Sequence, residues 1–242
     1  MKNILIGAAA ALSLAALAAS PASAAPTISI SACVPGLFGT PCAPGAAIVS
    51  GGLPSQSIPN NTNVGAFNIS GSGTAGTSTT SAFFNTQTIA ITTTAGQPAG
   101  GLLDVYFTIT GVPTQSLPLG FSSTFTSNNQ VADTHSVIFS NYLDNGDVAN
   151  ALTTLLATAT LNSAVEQTAG PINITETPSG MVSLTELYQI QLQGCGDQNS
   201  GSCTANLTID LSAAQVPEPA SLGLLGVGLL GLGLVARRKR SV

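Results

Sequence analysis

Through much of its length the chain alternates apolar and polar residues with a period of two. In Asp104–Thr110, Val105, Phe107 and Ile109 fall on one side; in Asn206–Leu211, Leu207, Ile209 and Leu211 do. That period, with a single apolar face, marks half-buried antiparallel strands. Ten segments rich in Thr, Ser, Val, Ile and Phe are expected as strands. They are Thr27–Ala32, Ala46–Ser50, Gly65–Ser70, Ser81–Thr93, Leu102–Thr110, Phe121–Thr126, His135–Leu143, Ile172–Thr177, Val182–Gln193 and Ala205–Leu211. Short strands punctuated by turn residues predict an all-β body, an antiparallel β-sandwich or jelly roll. One segment breaks the pattern. In Val148–Ala159, Val148, Leu152, Leu155, Leu156 and Ala159 fit helical spacing, with Asp147 as N-cap. Its threonines also permit a strand over Leu155–Leu161; the reading adopted is one short helix. Segments 51–64 and 71–80 are rich in Gly, Ser, Thr, Asn and Pro and are expected as long loops.

The two ends follow a different pattern. Met1-Lys2-Asn3 precedes an apolar run from Ile4 to Ala19 and then Ala22-Ser23-Ala24-Ala25. A basic start, a short apolar core and a small-x-small site predict a secretory signal peptide over residues 1–24, cut between Ala24 and Ala25. Its partners would be the export machinery and signal peptidase. At the other end, residues 220–236 carry no charge and are followed by Arg237, Arg238, Lys239 and Arg240. Seventeen helical residues span about 25 Å, the lower limit for crossing a bilayer. The basic tail would hold the C-terminus on the cytoplasmic side, and export of the N-terminus fixes the complementary orientation. Five glycines weaken the span, which suits a temporary anchor.

Pro217-Glu218-Pro219, the Gly/Leu-rich span and the terminal Arg/Lys cluster together resemble the PEP-CTERM sorting signal. The resemblance covers residues 217–242. It implies recognition at Pro217, Glu218 and Pro219 by exosortase, a membrane-embedded cysteine protease, and transfer to the envelope or matrix of a Gram-negative bacterium. It also implies exopolysaccharide as a partner. Two prolines give a physical reason, since they fix an extended backbone that a protease can bind. The tail implies a route and leaves the activity of residues 25–216 open.

Charge narrows that activity. All five Lys and Arg residues of the 242 lie at the ends, so residues 3–236 hold none. Of the ten acids one is Glu218, which leaves nine in residues 25–216 and a formal charge of about −9 with His135 neutral. A nucleic-acid partner is excluded, because phosphate affinity needs cations on the folded surface. Phosphoryl transfer lacks a cationic clamp.

Other candidate chemistry is sparse. Cys33, Cys42, Cys195 and Cys203 allow three pairings; in an exported chain disulfides are the default, and the local pairs 33–42 and 195–203 are preferred. The second would tie a hairpin between Val182–Gln193 and Ala205–Leu211. A four-Cys metal site lacks the CxxC spacing. Asp144-Asn145-Gly146-Asp147 reads as a type I′ turn, with Ca²⁺ held by Asp144 and Asp147 as the rival reading. Gly71–Gly76 matches GxGxxG, but no helix pattern follows and the reading is a loop. His135, the single histidine, has no GxSxG partner motif. Glu166, Glu176 and Glu186 are candidate glycosidase acids without the aromatic platforms such sites use. The expected function is therefore a non-enzymatic envelope or matrix protein without a cofactor. A carbohydrate-binding or adhesive module using Asp144, Asp147 and exposed Tyr or Asn is the first alternative, and a secreted hydrolase the second.

Overall fold

The computed structural model describes residues 25–65, 67–78, 81–93, 101–114, 118–129, 135–162, 166–192, 204–216 and 227. Twelve strands are described. They are β1 (Thr27–Cys33), β2 (Val49–Gly52), β3 (Ser55–Val64), β4 (Phe67–Thr77), β5 (Ser81–Thr93), β6 (Gly101–Pro113), β7 (Leu119–Asn129), β8 (His135–Asp144), β9 (Thr154–Leu161), β10 (Gln167–Glu176), β11 (Met181–Leu192) and β12 (Thr204–Gln215). They form two antiparallel sheets in the orders β2-β1-β6-β11-β8-β9 and β10-β7-β12-β5-β4-β3. The sheets pack face to face as a sandwich, as the alternating pattern predicts.

The apolar phase of β1, β6, β7 and β12 points between the sheets. Val105, Phe107 and Ile109 of β6 are buried there, as are Leu207, Ile209 and Leu211 of β12. A chain of rings crosses the interface. Phe107 and Phe139 each meet Tyr188 edge-on, at 5.9 and 5.5 Å between centroids, and Phe139 meets Phe125 of the second sheet at 5.7 Å. Such pairs contribute about 0.5–1.5 kcal/mol each beyond their area burial.

Four expectations need correction. The helix over Val148–Ala159 does not form; its second half is β9, paired with β8 from Val137↔Leu161 to Leu143↔Thr154. The β-branched Thr154, Thr158 and Thr160 favour extended backbone, and the free edge of β8 supplies a hydrogen-bond ladder that a helix would forgo. Segments 51–64 and 71–80 are largely strands β3 and β4. Gly73 explains why a glycine-rich stretch stays in the sheet. A Cβ there would sit 3.1 Å from the Phe107 ring of the facing sheet, so the glycine marks close approach of the layers. Gly71–Gly76 is thus part of β4. Third, β11 and β12 are no hairpin, because they belong to different sheets. Cys195 and Cys203 lie in the connection between them, outside the described residues. Fourth, a turn closes around Asn145-Gly146, with the Asp147 N–H on the Asp144 carbonyl at 3.4 Å. Its left-handed residues are Asp147 (φ 55°) and Asn150 (φ 60°), so it is not the type I′ form, which needs positive φ at both central residues.

Candidate functional site

The outer face of the first sheet is roofed by two connections. Segment 34–48 is held by the disulfide Cys33–Cys42, one of the two local pairs expected. Closing so short a loop is worth about 2–3 kcal/mol. Beneath it, Asp104 accepts the Cys42 N–H at 2.9 Å, and the Tyr106 hydroxyl donates to the Cys42 carbonyl at 2.5 Å. Asp104 is buried, and that burial pushes its carboxyl up to about 6 against the pull of the Cys42 N–H. Burial likewise raises the Tyr106 phenol, with Asp104 adding to the effect. Cys33, Cys42 and Asp104 are close enough to share an ion among the described residues. Both sulfurs are spent on the disulfide, however, and the group offers a cation one carboxylate.

The second roof is segment 145–153, and it uses both carboxylates considered for calcium. Asp144 Oδ2 accepts the N–H groups of Gly146 and Val148 at 3.1 and 3.0 Å, and Asp144 Oδ1 accepts the Thr153 hydroxyl at 3.0 Å. Asp147 Oδ1 accepts the Gly111 N–H at 2.7 Å. The two side chains act separately, one on its own loop and one on β6. Asn150 completes the clamp. Its Oδ1 accepts from Ser31 and Thr108, both at 3.1 Å, and its N–H donates to Thr108 Oγ1 at 3.2 Å.

Between the sheets lies a polar group that shares the apolar phase of its strand, since Glu186 alternates with Leu184, Tyr188 and Ile190. Glu186 is fully buried opposite Asn141 of β8 and Phe107 of β6. Neither of its carboxyl oxygens has a hydrogen-bond partner. The Thr86 hydroxyl beside it is committed to Tyr188 and to the Ile209 backbone. Burial holds the Glu186 carboxyl well above the ordinary range, so it is neutral in the folded protein near its usual pKa. Asn141 donates to Ser123 Oγ at 2.9 Å across the interface.

The candidate acids do not converge. Glu186 faces the core, Glu176 ends β10, and Glu166 precedes it. Tyr106 and Tyr188 are buried, so neither is the exposed aromatic that a sugar-binding reading asked for. Tyr142 of β8 is partly exposed, and Phe83, 52% exposed on the outer face of the second sheet, is the more open aromatic. Sequence reasoning missed it, although a signal existed. Phe83 and Phe84 are adjacent in a strand, so their side chains must point to opposite faces and only one can enter the core. His135 opens β8.

The sorting tail leaves from a central strand. β12 pairs with β7 to Gln215↔Leu119, and the Val216 N–H still reaches the Pro118 carbonyl at 2.9 Å. Val216 is the last described residue before the tail. Ala25 is the first residue described. Residues 1–24, Pro217, Glu218, Pro219 and Arg237–Arg240 lie outside the described residues, as does the span 220–236 apart from Val227. Among the described residues no helix is long and apolar enough to cross a membrane.

Comparison with known proteins decides the tail. Residues 215–240 match the PEP-CTERM protein-sorting motif. The chain ends in a PEP-CTERM sorting signal. That signal implies an exported, cell-surface-sorted protein processed by exosortase. The match begins at Gln215, the last residue of β12, and so overlaps the end of that strand. No curated protein matches the chain. A chain from the structure of infectious bursal disease virus Gx strain is similar over 78% of this chain and 53% of its own length, at 12% identity and a TM-score of 0.28. This chain thus spans about half of that one, and a likeness so low carries no functional argument.

Proposed function

We propose that the exported body is a non-enzymatic structural protein of the envelope or extracellular matrix, anchored briefly by its tail and then released or transferred by exosortase. The sorting motif starting where β12 ends is the observation that carries the reading, because it makes the sandwich the cargo. Support comes from the body's chemistry. Its described acids are spent on loop structure or scattered, and burial between the sheets raises the Glu186 carboxyl well above the ordinary range. The stable disulfide suits an oxidising compartment.

In the native host, Glu218→Ala or removal of Arg237–Arg240 is expected to leave uncleaved or mislocalised precursor. Intact mass and fractionation read this directly; an unchanged mature mass and location would sink the sorting scheme. Turnover of polysaccharides or esters by the purified body would sink the non-enzymatic part.

A further inference from the structure

The outer faces of the two sheets are treated differently. The first is roofed by segments 34–48 and 145–153, whereas side chains of the second alternate between buried and open along β7 and β12. Register places Asn173 of β10, Ser122 of β7, Ser212 of β12 and Phe83 of β5 in one transverse line on that open face. Gly76 of β4 is next in the line, opposite Phe83. A Cβ on Gly76 would fall 2.3 Å from Phe83 Cε1, so the ring lies against the glycine, and it is 52% exposed. At the opposite end, Ser122, Asn173 and Gly120 line a shallow groove of about 280 Å³.

We propose that this line binds an uncharged polysaccharide chain, with Phe83 stacking on a sugar ring and Ser212, Ser122 and Asn173 hydrogen-bonding its hydroxyls. This rests on the matrix reading above and adds the binding surface and the chemistry of the ligand. Three observations support it. An aromatic face is electron-rich and attracts the polarised C–H groups of a sugar ring. Amide and hydroxyl groups both donate and accept, as sugar hydroxyls require. Adjacent strands lie about 4.8 Å apart, so the line runs about 14 Å, room for roughly three hexose units.

Charge selects the class of polymer. Residues 3–236 carry no Lys or Arg. Asp210, two residues along β12 from Ser212, places a carboxyl one row away, held by Asn85. A polyanion meets that acidic body without a counter-charge, whereas a neutral chain does not.

Affinity electrophoresis of the mature exported protein tests the proposal, using gels with dextran, galactomannan or mixed-linkage β-glucan as neutral polymers and alginate as the polyanion. Retardation by at least one neutral polymer and none by alginate is expected. Phe83→Ala should reduce that retardation at least about tenfold in apparent affinity, and Gly76→Ala, which displaces the ring but keeps it, should also reduce it. Leu155→Ala, an exposed apolar residue of β9, should not. Matching urea midpoints would show that the variants fold. No retardation by any of the three neutral polymers, equal retardation of Phe83→Ala and wild type, or retention by alginate would overturn the proposal. Location and mature mass of the same protein report on sorting independently, so the two readings fail separately.

Discussion

The Asp104 carboxylate accepts the backbone N–H of Cys42 at 2.9 Å, tying the disulfide loop to the middle of the first sheet. Burial raises Asp104 from 3.8 to about 6, so the native state binds this proton more tightly than the unfolded chain. The sign follows from linkage. Stability from this group is complete below about pH 3.8 and falls as pH rises toward 6, by up to about 1.4 kcal/mol per pH unit. Asp104→Asn keeps an acceptor for Cys42 and removes the titration. Urea midpoints of wild type should drop between pH 4 and 6, and this fall should be smaller in the variant. Parallel profiles would contradict the assignment.

Glu186 gives a related prediction with a different variant. Burial between the sheets raises its carboxyl well above the ordinary range. The Thr86 hydroxyl pulls against that, but Thr86 is already bonded to Tyr188 and Ile209, and neither carboxyl oxygen has a well-formed hydrogen bond. The folded pKa is raised, so wild-type stability is greatest below the ordinary glutamate range and declines as pH climbs above it. Glu186→Gln has the same shape without the charge. It is expected to match wild type at pH 4 and to exceed it at pH 7, because only wild type must hold a proton that the unfolded chain releases, at up to about 1.4 kcal/mol per pH unit above the ordinary glutamate pKa. Denaturant titrations at the two pH values measure this. A variant less stable at pH 7 would mean that the carboxylate has a partner.

Asn150 should be the most sensitive residue of the second roof. It combines a positive φ of 60° with three hydrogen bonds to Ser31 and Thr108. Asn150→Ala loses the side-chain acceptor and puts an alanine in the left-handed region, at a cost of about 1–3 kcal/mol. Asn150→Gly loses the same bonds without the backbone penalty and should be the milder change. A urea series on both variants separates the two contributions; equal losses would assign the whole effect to the hydrogen bonds.

Much of the architecture was legible because alternation is local. Val105, Phe107 and Ile109, or Leu207, Ile209 and Leu211, declare one buried face without reference to any other segment. The same holds for the ends: the apolar starts, the Pro-Glu-Pro tripeptide and the terminal cations are contiguous, and the PEP-CTERM motif was readable from them. The sandwich hid its long-range decisions. Gly73 reads as a loop residue until Phe107 of the other sheet lies against it. Thr154–Leu161 fits a helix or a strand until the edge of β8 is available. β11 and β12 look like hairpin arms until the chain places them in opposite sheets.

The sequence by itself determined the PEP-CTERM sorting tail, the all-β class and the apolar phase of the strands, since each depends on neighbours within a few residues. Only the tertiary structure decided that Asp144 and Asp147 serve the loop and Gly111 separately, and that Phe83 stands on an open face. Those outcomes depend on which strands become neighbours, and strand order is set by contacts between residues far apart along the chain, where local periodicity carries no information.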